Sequence, residues 1–397
     1  MPVQTSRRPP AVESPGGPAR AATTTPTRPG KGGKTGGGPA KKRSRRKDPL
    51  WARLTLILGA VLMMTSGVAI VGSKALISKA TGSIAQRNLL GDAGKSDAEG
   101  GANLDGPIDM LLLGVDARER WAADDVRADS IIVLHIPATH DQAYMISIPR
   151  DTEAEIPGHG TDKINAAFQF GARNGGGWEG GAQLMAKTIK KLTGVSFDGM
   201  AIINFGGFKN IIDTLGSVRI CVSQEVTSIH MSYVDGKPMW NADAKKTGKR
   251  MTPVVHKKGC REMEGWAALD YSRQRKTLKN GDYDRQQNQQ QLIKAMAKKA
   301  TENGTLTNPL KLNELIKAAG KAFILDAGGV PVADFVFTMR GVTGNDLVML
   351  KTNGGTFHGD GSRETLSQET LDMFGAVKQD KLAEFVFANP QVISSRT

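Results

Sequence analysis

Twenty consecutive residues, Leu54–Ser73, carry no charge, and they follow directly on a basic stretch made of Lys41, Lys42, Arg43, Arg45, Arg46, Lys47 and Arg53. At about 1.5 Å per residue such a run is about 30 Å long as a helix, the thickness of a bilayer's hydrocarbon core. Lys and Arg beside a span stay on the cytoplasmic side, so the expected topology is single-pass, with the N-terminus in the cytoplasm and the rest outside. A cleaved signal peptide has a shorter apolar region close to the N-terminus and a small-residue cleavage site, so a span beginning at residue 54 reads as an uncleaved anchor.

The basic flank also explains the net charge. Of the +14 total, +11 lies before Leu54, where thirteen Lys and Arg face only Glu13 and Asp48. A basic tail therefore has to be explained, not a basic domain, and nucleic acid is not an expected partner. Residues 1–53 hold too few large apolar side chains to offset the entropy of ordering and read as a disordered cytoplasmic tail. Residues 54–73 are the expected transmembrane helix, 74–106 a polar linker or stalk, and 107–390 an extracytoplasmic domain. Cys221 and Cys260, the only cysteines, both fall in that domain. An even count in an oxidising compartment predicts a disulfide, with two buried free thiols as the other reading.

Within the domain, Met110–Gly114, Ser130–Ile136 and Ala143–Ile148 are short apolar runs of the kind that form buried strands. Joined as hairpins, they bring the end of the first, the start of the second and the end of the third to one edge of a sheet. Asp116, Arg118, Arg127, Asp129, Arg150 and Asp151 all fall at that edge. Further on, Gly175, Gly176, Gly177, Gly180 and Gly181 read as a loop, without the Gly-Lys-Ser/Thr ending of a P-loop. Helices are expected at Gln183–Thr193 and Gly207–Leu215 and strands at Met200–Phe205 and Val218–Val222, an α/β alternation. Residues 228–258 read as polar and irregular.

The segment Tyr271-Ser272-Arg273-Gln274-Arg275 puts two guanidiniums on one side if the chain is extended there. Paired forks of this kind suit a diphosphate. Asp282 is placed to cap a helix running to about Thr301, on which Asp282, Arg285 and Gln289 share one face. No Ser-His-Asp or Cys-His constellation is evident, and His135, His159 and His256 read as ordinary strand or loop residues.

In order and spacing, Leu113-Gly114-Val115-Asp116-Ala117-Arg118, Arg127-Ala128-Asp129-Ser130, Ser147-Ile148-Pro149-Arg150-Asp151-Thr152, Lys163-Ile164-Asn165, Arg273-Gln274-Arg275 and Gly281-Asp282-Tyr283-Asp284-Arg285 resemble the LytR-CpsA-Psr family. The resemblance implies an α/β fold in which a three-layer α-β-α domain surrounds a mixed central sheet. It implies a phosphotransferase moving a glycopolymer from an undecaprenyl-pyrophosphate carrier to peptidoglycan. Asp116, Asp129 and Asp282 would arrange Mg²⁺ (or Mn²⁺). Arg118, Arg127, Arg150, Lys163, Arg273, Arg275, Arg285 and Gln289 would hold the pyrophosphate, with Asp116, Arg127, Arg150 and Arg275 at the chemistry. Asn288, where the family often has Arg, and Ser217, in place of the second Gly of a common turn, depart from the pattern. A pyrophosphatase and a non-catalytic wall-binding or regulatory protein are the competing readings.

Overall fold

Strand β2 (Ile108–Val115) and strand β3 (Ala128–Ile136) are antiparallel, and β4 (Ala143–Ser147) returns antiparallel to β3, as the hairpin reading requires. The computed structural model describes residues 85–96, 104–115, 126–305, 308–320, 323–331, 334, 338 and 341–394. The tail, the span at 54–73, and the site candidates Asp116 and Arg118 lie outside the described residues. Among those described, no helix is long and apolar enough to cross a membrane.

Seven strands form one mixed sheet. Its order is β1 (Ala85–Gln86), β13 (Phe323–Asp326), β7 (Gly199–Asn204), β2, β3, β4 and β14 (Leu347–Leu350). The pairs β1–β13, β7–β2 and β4–β14 are parallel, and the others antiparallel. Alternate residues of β2 serve opposite faces. Leu111, Leu113 and Val115 join a core with Phe168 of helix α1 (Ala166–Ala172), Met185 and Ile189 of α2 (Gly177–Thr193), and Phe374 of a later helix, Gln368–Lys378. Met110 and Ile132 face a second core that meets Ile293 and Ala297 of the helix Asp282–Glu302.

Three expectations change. The stretch read as a linker includes Leu89 and Leu90, which are buried, while Asp326 accepts hydrogen bonds from both their backbone N–H groups at 2.7 and 3.0 Å. Two adjacent leucines and a waiting carboxylate are enough to dock this segment onto the domain. The glycine-rich stretch is not all loop, because α2 starts at Gly177. A Cβ on Gly171 would meet the Gly180 carbonyl oxygen at 2.2 Å, and one on Gly180 would meet the Gly171 oxygen at 2.4 Å. The glycines permit a close crossing of α1 and α2. Residues 228–258 are also more regular than their polarity suggests, forming a small sheet of β10 (Lys237–Trp240), β9 (Val226–Val234) and β11 (Thr252–His256). Their one-sided burial, with Val226, Met231, Val234 and Val254 inside, explains the low hydrophobic content.

Cys221 on β8 (Val218–Val222) lies directly across from Cys260 on β12 (Gly259–Met263), and the two form a disulfide. The bridge joins residues 39 apart in sequence. Constraining a loop of that length in the unfolded chain contributes about 2–4 kcal/mol. Reduction is therefore expected to lower the thermal midpoint of the oxidised protein, and denaturing alkylation before reduction should label no thiol. Two labelled thiols in protein prepared without reductant would contradict the bridge.

Candidate functional site

Charge collects beside the sheet edge from five separate segments. Asp129 stands at the start of β3, Arg150 and Asp151 follow β4, and Lys163 ends β6 (Gly160–Lys163). Arg275 follows helix α5 (Gly265–Arg273), while Asp282 and Arg285 open α6 (Asp282–Glu302), the last of these segments. Helices α3 (Phe205–Leu215) and α4 (Asn241–Lys246) lie between α2 and α5 in the chain. Arg150 Nη1 donates to Asp129 Oδ1 at 2.6 Å, and its Nε lies 3.8 Å from both Asp151 Oδ2 and Asp282 Oδ1. Arg285 Nη2 lies 2.8 Å from Asp282 Oδ1 and donates to the Asp129 carbonyl at 2.8 Å. Arg275 approaches Asp151 and Asp282 at 3.8 and 3.7 Å, and Lys163 donates to Asp151 at 2.9 Å. Among the described residues, four cations thus pair with Asp129, Asp151 and Asp282, and guanidinium forks gathered in this way suit an anion.

Burial alone would lower the Arg150 pKa, yet Asp129, Asp282 and Asp151 together raise it. Burial lowers Arg285, Asp282 opposes that fall and the neighbouring Arg150 adds to it. Both remain cations at any physiological pH. Arg150 Nε, Arg285 Nε and Asp282 Oδ1 are buried and make no hydrogen bond within the protein. Native proteins rarely leave buried guanidinium donors unbonded, which marks the two arginines as candidate contacts for a polar ligand.

The local reasons for this geometry are visible in α6. Gly281 precedes the helix at φ 54°, and Asp284 accepts from Asn280, at its backbone N–H (2.9 Å) and side-chain amide (3.3 Å). Asp284, not Asp282 as expected, is therefore the carboxylate that ties down the helix start. Asp282 is left to face the arginines. Gln289, one turn beyond Arg285, points into an apolar cavity of about 220 Å³. Gly114, Ser130, Ile132 and Ala201 floor the cavity, and Phe208, Leu269, Leu292 and Met296 roof it. Gly114 pairs with Ser130 across β2 and β3, where a Cβ on the glycine would stand 2.8 Å from that of the serine. Small residues on this face leave a void the helices do not fill. Two of its lining residues adjoin the charged cluster along the chain, since Ser130 follows Asp129 and Gln289 follows Arg285 by four.

The sequence profile of the LytR_cpsA_psr family matches residues 75–377. The chain belongs to the LytR-CpsA-Psr family. Among curated relatives, the probable cell wall biosynthesis protein LcpB of Corynebacterium glutamicum is 33% identical over 230 residues, covering 55% of this chain and 48% of LcpB. The match thus spans about half of that relative. The polyisoprenyl-teichoic acid–peptidoglycan teichoic acid transferase TagU of Bacillus subtilis is 28% identical over 268 residues, covering 67% of this chain and 75% of TagU. In fold, the chain is similar to TagV of Bacillus subtilis, with TM-score 0.52 at 20% identity over 70% of this chain and 98% of TagV. A Streptococcus agalactiae protein gives TM-score 0.54 at 21% identity, covering 72% and 91%.

In this LytR-CpsA-Psr protein, Asp129, Arg150, Lys163, Arg275, Asp282 and Arg285 come together as one cluster. Arg127 stands at its margin, exposed, with Nε donating to Gln169 at 3.0 Å. Arg273 does not follow Arg275. It ends α5, and its guanidinium lies 5.1 Å from the Trp240 ring centroid. Gln274 between them is fully buried, its amide donating to Asp270 and Ser228 and its oxygen accepting from Ile229 N–H. Fastening Gln274 inward turns its neighbours to different places, so the extended spacing assumed from sequence does not apply. His135 and His256 are buried against Asp109 and Asp270, each at 2.7 Å.

Sequence reasoning gave no role to Asp151, although it sits inside a recognised motif, nor to Glu364. Glu364 donates its backbone N–H to the Asp151 carbonyl at 3.2 Å and accepts from the Tyr283 hydroxyl. The Asn353 amide donates to the same hydroxyl at 3.0 Å. Burial raises the Glu364 pKa, the Tyr283 hydrogen bond pulls it down, and Asp282 and Asp151 push it up again, with a net rise. A raised carboxylate contributes stability that is fully present below the ordinary value of about 4.3 and is lost as pH rises through the folded value. The melting temperature of the wild type relative to Glu364→Gln is therefore expected to fall over that window. A difference that rises with pH would contradict the assignment.

Proposed function

We propose that this chain is a phosphotransferase that moves a glycopolymer from an undecaprenyl-pyrophosphate carrier to peptidoglycan outside the cell. The carrying observation is an apolar cavity lined by Ser130 and Gln289, next in sequence to Asp129 and one helical turn from Arg285, beside a cluster in which Arg150 Nε and Arg285 Nε are buried without a hydrogen-bond partner. An apolar void in a close-packed interior costs stability unless something fills it. An isoprenoid chain in the cavity puts its pyrophosphate among Arg150, Arg275 and Arg285, with Arg127 and Lys163 alongside. Support also comes from TagU, whose name describes this kind of transfer with teichoic acid.

In the proposed reaction an acceptor hydroxyl attacks the phosphorus that carries the glycan. A new P–O bond forms, the P–O–P bridge breaks, the hydroxyl proton is lost, and polyprenyl phosphate leaves. Such a step needs charge neutralisation and alignment more than covalent work by the protein. The arginine forks meet phosphate oxygens in pairs and stabilise charge that spreads as the bridge breaks. Asp129 and Asp282, with Asp116 outside the described residues, are the carboxylates proposed to hold Mg²⁺ or Mn²⁺. Asp282 Oδ1, buried without a hydrogen bond, fits that role, although the described residues alone contain no group of three or more such ligands. A metal held by one or two carboxylates takes its other ligands from phosphate and water, and when bound it neutralises phosphate charge.

The uncharged run 54–73 and its basic flank support a single-pass anchor with the N-terminus in the cytoplasm and residues 108–397 outside. The function is tested by incubating the full chain in membranes with a synthetic polyprenyl-pyrophosphate glycan and peptidoglycan. Covalent glycan on peptidoglycan is the expected product. Release of phosphorylated glycan without attachment would make the protein a pyrophosphatase, and no turnover would make it a binding protein.

A further inference from the structure

Arg273 belongs to a second concavity, a cleft of about 560 Å³ lined by Lys209, His230, Trp240, Asn241, Lys246 and Arg273. Leu269 lines both this cleft and the apolar cavity, so one turn of α5 divides them. Arg273 and Arg275 are two residues apart, so their Cα atoms are at most about 7 Å from each other. A ligand bound at the charged cluster can thus reach the cleft through a directly attached group.

The lining has a specific chemistry. The Arg273 guanidinium lies over the Trp240 ring, an arrangement that holds the fork in place by cation–π attraction. Lys209 and Lys246 stand near it, their side chains 47% and 75% exposed and paired with Asp213 and Asp243. Each of those pairs is 2.6 Å long, and Asp243 lines the cleft together with Lys209, Lys246 and Arg273. The platform beneath is fixed, because the Asn241 amide donates to the Ile229 carbonyl at 3.0 Å and its oxygen accepts from Ser232 at 2.8 Å.

A purely apolar ligand would waste the cations, and a free diphosphate would make no use of the ring. A saccharide bearing phosphate or carboxylate uses both, resting C–H groups on the indole and placing its anion on Arg273 and the lysines. We propose that this cleft is a binding subsite for an acidic saccharide adjoining the pyrophosphate cluster. The subsite rests on the transferase reading for its place in the reaction, and on the cleft itself for its chemistry. Either the donor glycopolymer or the peptidoglycan acceptor could supply such a saccharide.

The full chain in detergent is titrated with a hyaluronan tetrasaccharide (acidic), chitotetraose (neutral) and inorganic phosphate. The acidic tetrasaccharide should bind more tightly than the neutral one and resist displacement by an equal concentration of phosphate. Trp240→Ala should weaken its binding about tenfold or more, and Lys246→Ala about threefold. Should Trp240→Ala melt early, Lys246→Ala, an exposed change, decides alone. In transfer assays a raised KM for the lipid-linked donor assigns the saccharide to the donor, and a raised KM for peptidoglycan assigns it to the acceptor. No binding by the wild type, equal binding of chitotetraose, displacement by phosphate alone, or unchanged affinity in the variants overturns the subsite. Saccharide binding that behaves as expected without any covalent transfer would overturn only the enzyme assignment.

Discussion

Arg150→Ala is expected to lower the proposed glycan transfer by roughly thirty- to a thousand-fold, equivalent to about 2–4 kcal/mol of transition-state stabilisation. The size follows from its position. Arg150 is the one cation that touches Asp129, Asp151 and Asp282 among the described contacts, and its Nε is buried without a hydrogen-bond acceptor. Its fork organises the carboxylates and keeps one donor without an acceptor in the protein, the donor proposed to meet phosphate. Arg150→Lys should restore little, because an ammonium keeps the charge but cannot meet two oxygens in one plane. The measurement is transfer from the synthetic lipid-linked donor, with melting of each variant as the control. Near wild-type transfer by folded Arg150→Ala protein would remove the arginine from the chemistry.

The second large effect is on stability. Arg285 is 6% exposed and stands 2.8 Å from Asp282 Oδ1, about 1 Å nearer than the other two cations there, Arg275 at 3.7 Å and Arg150 at 3.8 Å. Arg285→Ala removes the shortest ion pair of a buried carboxylate, and breaking a buried pair from one side costs about 3–5 kcal/mol. It also frees the Asp129 carbonyl, which accepts from the same guanidinium. Pairing the change with Asp282→Asn should recover part of the loss, because the stranded charge is then gone. A double variant no more stable than Arg285→Ala alone would show that the arginine acts through packing and not through Asp282.

The charged residues of the family motifs that the structure describes stand at the ends of strands and helices, where local spacing decides their position. Hairpin connectivity then brings Asp129 and Arg150 together whatever the rest of the chain does. Glu364 was not legible. It reaches Asp151 through an isolated strand bridge between Thr152 and Glu364, more than 200 residues apart, and no local pattern encodes such a contact. The small sheet at 226–256 was missed for a related reason, since strands buried on one side carry about half their residues as polar ones and resemble loop.

By itself the sequence determined the basic flank and uncharged run, the three apolar strands, the cysteine pair and the order of the charged motifs, because these depend on composition and on spacing along the chain. Tertiary structure decided which charges meet. Arg273 and Arg275 look equivalent as a dipeptide pattern, yet burial of Gln274 against Asp270 and Ser228 sends one to Trp240 and the other to Asp282. Likewise Asp282 looks like a cap until Asp284 takes that place. A side chain's partner is set by whatever other segments the fold brings within a few ångströms, and that information lies in the packing of distant parts.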